Sequence, residues 1–284
     1  MTDEYKGSMN VIPTSYIVSE TRCNLDECRL YWKEAGSNME MDMRKVNDGS
    51  KVKDIELFLE IMSRVSESEE WIDKSKTTNF EYILDILKKD RLAPDSPLNH
   101  CSVSVLFNNV SMFFTKSILQ KRLIGLTVTE KAYHLPKFNY WIPPAFETDP
   151  KLMVAYSHLF NQMNDIKNKV FESLKLWETK DNDEIRKKVQ DVSRIFPLGA
   201  EVNCGITAGL GTWRHLLSLS TDFAYDDESR YVFLFLGKKF KERYPAVFQD
   251  MVLLDGAGKE FGLDTLNSSH DAWKLFKFSF RCMK

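Results

Sequence analysis

The chain has 284 residues, of which 43% are hydrophobic and 28% charged, and its formal net charge is -2. That balance describes a folded globular chain long enough to bury a substantial core, and it excludes wholesale disorder. Near-neutral charge removes any global signal for nucleic acid or an anionic membrane, and no run of about 18 apolar residues offers a membrane span.

The five cysteines, Cys23, Cys28, Cys101, Cys204 and Cys282, are scattered and odd in number. This pattern fits a reducing, cytoplasmic compartment better than a disulfide framework. Cys23 and Cys28 are separated by four residues, but no second pair or His cluster follows at zinc-site spacing. They read as structural thiols, and no metal is expected. The first residues are polar and acidic, without an apolar core for a signal peptide.

In chain order, Val11 to Val18 is a short apolar run broken by Pro13, which predicts an edge strand. Leu25 to Ala35 holds apolar positions near helical spacing. Ser37 to Lys53 is charged and reads as a surface loop, and Ile55 to Val65 as a mostly apolar helix. Thr78 and Glu81 are spaced as a capping box for a helix to Lys89. Pro94 and Pro97 end that helix and open a turn. After His100, Val103, Val105 and Phe107 alternate with smaller or polar residues, a half-buried strand. Asn108 and Asn109 are expected to turn the chain, and Ser111 to cap a helix reaching Arg122. A compact irregular segment and an aromatic exit then lead to Pro144.

Asp149-Pro150 predicts the start of a long helix, to about Lys180, with Leu152, Met153, Leu159, Phe160, Ile166 and Phe171 among its apolar members. A second helix runs from about Asn182 to Phe196. Gly199, Gly205, Gly209 and Gly211 mark a glycine-bearing segment, a weak candidate for a phosphate cradle. Helices follow at Thr212 to about Ser220 and at Asp226 to Tyr244, the latter stopped by Pro245. From Gly256 the tail has loop character, then an aromatic stretch with Trp273, Phe276, Phe278 and Phe280. No linker divides the chain.

Three stretches, in this order, resemble the flavin-dependent thymidylate synthase (ThyX) family. LAPDSPLNH at 92–100 is similar to the family's turn ending in a histidine before its first core strand. QKRLIGLTVTEKAY at 120–133 lies where the family carries RHRxxSxNxxSxRY. The segment 194–230 lies where the family has a Leu-Pro segment, an Asn-x-Arg-Ser helix start and a Glu-Ile-Arg helix. WIPP at 141–144 sits at the family's Ile-Pro exit. The similarity covers roughly 80–250.

The departures are chemical. Gln120 and Ala132 stand where the family has anion-binding arginines, and Gly209-Leu210-Gly211-Thr212 replaces Asn-x-Arg-Ser. Gly125, Thr127 and Glu130 replace two serines and an asparagine, while Arg122, Tyr133, Glu228 and Arg230 match the motif. Each lost charge-assisted bond to a phosphate removes roughly 1.5–3 kcal/mol. Lys116 and Arg214 are nearby in sequence as substitutes.

The resemblance implies an α+β (mixed α/β) fold with a ThyX-like sheet and a long helical region. It implies one domain over 1–284, with 1–77 a divergent N-terminal portion and 256–284 a C-terminal tail, assembled as a homotetramer. It also implies C5 methylation or hydroxymethylation of a pyrimidine deoxynucleotide such as dUMP, with FAD, methylenetetrahydrofolate and NADPH. Arg122, Lys121 and His100 would then hold the cofactor. Thr129, Glu130, Lys131 and Thr212 would approach the nucleotide, and Lys238 would polarise the base. The alternatives are a catalytically inactive homologue kept as a scaffold and an unrelated helical interaction domain. Without the resemblance, the Lys121–Arg122 pair reads as a solvated helix end and His100 as a structural hydrogen-bonder. Asp222, Asp226, Asp227 and Glu228 read as helix N-terminal acids rather than a metal cluster.

Overall fold

The computed structural model describes residues 12–34, 52–66, 79–89, 97–119, 124–129, 139–176, 178–222, 224–266 and 278–282. The fold is mixed α+β, as expected. Strands β1 (Thr14–Glu20), β2 (Ser102–Ser111), β3 (Ile124–Thr129) and β4 (Glu201–Gly209) form a sheet in the order β1-β2-β4-β3. A second sheet holds β5 (Met251–Asp255), β6 (Glu260–Phe261) and β7 (Phe278–Cys282) in the order β6-β5-β7. The chain divides into two compact units, Met1–Tyr16, Leu106–Arg122 and Leu126–Ile206 in one and Ile17–Val105, Leu123–Gly125 and Thr207–Lys284 in the other.

β1 lies at a sheet edge and begins just after Pro13, where the missing N–H does no harm. β2 buries Val103, Val105 and Phe107, as the alternation predicts. The turn expected at Asn108–Asn109 is absent, because the strand continues to Ser111. Asn109 takes φ 60, which asparagine tolerates. Its N–H donates to Asn203 Oδ1 at 3.1 Å, so the neighbouring strand absorbs the kink. Ser111 does cap α4 (Met112–Leu119): its Oγ accepts from the Phe114 N–H at 3.0 Å.

Part of the segment read as irregular, Ile124–Thr129, is strand β3, and part of the glycine-bearing segment, Glu201–Gly209, is strand β4. β4 buries Val202, Cys204, Ile206 and Ala208 on one face. A Cβ on Gly205 would sit 3.1 Å from Leu106 Cδ2, so this glycine serves strand packing rather than a loop.

In the first unit, a short helix α5 (Pro144–Glu147) precedes α6 (Pro150–Ser173). Asp149 caps α6 by accepting from the N–H groups of Lys151 and Leu152. α6 stops short of Lys180. Lys175 adopts φ 48, the Leu176 N–H reaches back to Phe171 O at 3.0 Å, and Lys188 Nζ takes Leu174 O at 2.9 Å. These contacts satisfy the terminal carbonyls and reverse the chain toward α7 (Asn182–Ser193). Tyr140, Ile142, Phe160 and Ala200 form one core cluster, and Phe171, Leu176 and Val192 another.

In the second unit, helix α1 (Leu25–Glu34) forms as the apolar spacing predicts. Helices α2 (Asp54–Ser66), α3 (Asn79–Lys89), α8 (Leu210–Ser220) and α9 (Asp227–Arg243) carry its core. The Thr78 half of the expected capping box, the loop residues 37–51, and Trp273 and Phe276 lie outside the described residues. Within the tail, Phe278–Cys282 of the aromatic stretch is a strand: β5 pairs antiparallel with β7, Leu253 opposite Phe280, and with β6, Leu253 opposite Phe261. Phe278 and Phe280 alternate inward, and Phe280 fills the space over Gly237 of α9.

Candidate functional site

The junction of β4 and α8 positions two of the expected site residues. A 3-10 turn, Pro97–His100, leads into β2, and the Leu210 N–H donates to Cys101 O at 2.8 Å. Cβ atoms on Gly209 and Gly211 would stand 3.2 Å from Asn99 Cα and 3.2 Å from Asn99 Oδ1. Any larger residue at either position would have to push this turn back by a few tenths of an ångström. The same contact brings the segments of His100 and Thr212 together. His100 is exposed and Thr212 is half-buried in the first turn of α8. Gly209, the N-cap, contributes no side-chain cap.

Lys238 lies on α9 with 18% of its side chain exposed and pairs with Glu242 at 3.7 Å. Thr129 is the last residue of β3. Lys121, Arg122, Glu130, Lys131 and Tyr133 fall outside the described residues.

Lys116 is exposed, whereas Arg214 and Arg230, offered by the sequence as a substitute and a survivor, have internal partners. Arg214 is buried and grips Asp250 with two contacts of 2.8 Å, while also donating to Val247 O. It is therefore no stand-in for a phosphate-binding arginine. Arg230 is buried, lies 3.6 Å from Asp227 and donates to Phe278 O at 3.4 Å. Burial holds its guanidinium below the usual range, against the raising effect of Asp227 and Asp222. Asp226 caps α9 by accepting from the Ser229 N–H at 2.9 Å, which is the helix-terminal role expected for this acidic run. His215 is exposed, and Tyr140 is core, stacked on Phe160 at 4.2 Å.

Glu56 and Lys167 are among the buried titratable groups that went unforeseen, and both have displaced titrations. Glu56 of α2 is fully buried and accepts from the N–H groups of Ala246 at 2.7 Å and Val247 at 3.2 Å. Burial pushes its carboxyl up to about 7. Lys167 of α6 is fully buried near the Phe171 ring, and burial pushes its ammonium down to about 8. The available signal was positional. Asn164 and Lys167 share the 4-3-4 spacing of Phe160 and Phe171, but an apolar pattern search passes over polar members of a buried face.

A sequence model of the family described as Thymidylate synthase complementing protein matches residues 50–246. The chain belongs to that family. Its function at family level is accordingly thymidylate synthase-like. No curated protein matches the chain. The family match takes in α2, the His100 turn, the β4–α8 junction and α9, and it ends before β5. Within the described residues, the family-position Arg230 is thus held by a strand beyond the matched region. Among those residues, no helix is long and apolar enough to cross a membrane.

Proposed function

We propose that this protein is a divergent thymidylate synthase-like flavoenzyme that transfers a one-carbon group to C5 of a pyrimidine deoxynucleotide such as dUMP. The carrying observation is the family match across residues 50–246, which spans every expected site residue. The chemistry implied for the family is hydride supply from reduced FAD and one-carbon supply from methylenetetrahydrofolate, with NADPH as reductant.

The described residues fit an anionic ligand at one place. The N-terminus of α8 has a glycine cap, Thr212 in its first turn and exposed His100 on the turn packed against it. Backbone N–H groups and the helix dipole favour negative charge at such an end. Arg122 and Lys121 are assigned to the flavin phosphates and Thr129, Glu130 and Lys131 to the nucleotide. Lys238 polarises the base electrostatically, without a covalent nucleophile.

The chain acts as one domain in a homotetramer in the cytoplasm. The α6 surface supports assembly: Leu152, Leu159 and Ile166 recur every seven residues and are 47%, 45% and 49% exposed. Such a seam suits docking against another helix.

The test is the visible spectrum of the purified protein after FAD is added and the excess removed. Retained flavin bands, with reoxidation of the reduced flavin on adding dUMP or dCMP, are the expected result. A colourless, folded oligomer would replace this reading with that of a scaffold.

A further inference from the structure

We propose that Cys23 and Cys28 are a thiol–disulfide exchange site, closing reversibly into an intramolecular disulfide at the start of α1. Their Sγ atoms lie 3.7 Å apart, and both residues are partly exposed. A disulfide bond is about 2.05 Å long, so closure needs an approach of under about 2 Å. The backbone around the pair is held in place. Thr21 and Ser102 exchange hydrogen bonds of 2.9 Å, from the Thr21 N–H to Ser102 O and from the Ser102 N–H to Thr21 Oγ1. Asn24 starts the helix, its side chain accepting from the Glu27 N–H at 3.4 Å and its carbonyl from the Cys28 N–H at 3.1 Å.

The neighbouring thiol Cys101 does not compete. Cys101 is fully buried, donates to Ile55 O at 3.4 Å, and is pushed up to about 12 by burial. A thiol so held is inert. Among the described residues no group of three His, Cys, Asp or Glu side chains is placed to hold a metal, so the two sulfurs act as a pair.

The co-reactant is a small disulfide such as oxidised glutathione. Burial, the hydrogen bond shared with Cys28 and the charges of Cys28 and Asp54 raise the Cys23 thiol above its ordinary range. Either thiol can make the first attack, since both are partly exposed. When Cys28 attacks, its thiolate displaces one glutathione thiolate and becomes a mixed disulfide. The Cys23 thiol loses its proton to solvent base and attacks Cys28 Sγ, releasing the second glutathione thiolate, which takes up a proton. Two thiols are oxidised to one disulfide, and one glutathione disulfide is reduced to two thiols.

The test uses the full chain, reduced, freed of reductant, incubated with oxidised glutathione, alkylated and mapped by mass spectrometry. The expected product is a peptide bridged between Cys23 and Cys28, lighter by two hydrogens and restored by dithiothreitol. Cys23→Ser and Cys28→Ser each stop at glutathione on the remaining thiol, with circular dichroism showing both variants folded. Free thiols at both positions, glutathione on both without a bridge, or a bridge to Cys101 would each overturn the proposal.

Discussion

Helices α9 and α6 both show apolar residues at helical spacing, yet they solve different problems. α9 has 17 residues and buries nine of them, including Glu228 and Arg230. α6 has 24 and buries four, two of them polar. Around α9, Trp213 of α8 packs on Phe240 with ring centroids 5.3 Å apart, and Phe280 of β7 covers Gly237. On α6, Leu152, Met153, Val154, Leu159 and Ile166 remain exposed. Periodicity therefore reports that a helix forms, while the number of neighbours decides which stripe is covered. A helix covered on several sides must also pair its charges, because an unpaired buried ion is costly.

The contrast can be broken most strongly at Asp250. Asp250→Ala leaves Arg214 buried without its carboxylate and should lower unfolding free energy by about 3–5 kcal/mol in urea titration. A loss near that of an exposed ion pair, about 1 kcal/mol or less, would mean that the α8–α9 region is wetter than described.

Glu56 provides the next largest effect, through pH. The folded protein holds the Glu56 proton up to about 7, whereas the unfolded chain releases it near its ordinary value of 4.5. Its stabilising contribution is therefore fully present below about pH 4.5 and is lost as pH rises through about 7. It amounts to about 3 kcal/mol across that window. Glu56→Gln should flatten this part of the stability–pH curve, measured by denaturant midpoints at each pH, while keeping an acceptor for Ala246 and Val247. An unchanged slope would assign the titration to another group.

A smaller effect is expected at Gly237. A Cβ there would lie 2.5 Å from Phe280 Cε2, so Gly237→Ala should cost about 1–3 kcal/mol through forced repacking of β7, read from the thermal midpoint. A stabilised variant would show that the gain in helix propensity outweighs that contact.

On α6 the expected changes are smallest. Leu159→Ser should shift protomer stability by only about 0.5 kcal/mol. Light scattering, however, should show weaker assembly if the seven-residue seam is an interface. Equal assembly in the variant would remove that role from the seam.

Most elements were legible because their signals are local. Asp149, Asp226 and Ser111 cap helices as their side chains predict. Val103, Val105 and Phe107 alternate into the core. The missed elements share one cause, a pairing partner distant in sequence. β3 lay in a stretch read as irregular and β4 in one read only as glycine-bearing, and their neighbours in the sheet decide that Gly125, Gly205 and Gly209 sit in strands. β7 is a strand because β5 pairs with it and α9 offers a glycine to Phe280. Of the expected site, the sequence placed His100 before a strand and Thr212 at a helix start; the glycine contacts at Asn99 are what bring those segments together.

By itself, the sequence determined the class of fold, the order of most elements and the family to which the chain belongs, since capping, periodicity and motif order need only neighbouring residues. Tertiary structure alone decided that Arg214 and Arg230 have internal partners, that Glu56 and Lys167 are buried, and that α6 keeps an apolar stripe exposed. Those outcomes depend on which distant groups approach within hydrogen-bond or van der Waals range, and no local pattern encodes that distance.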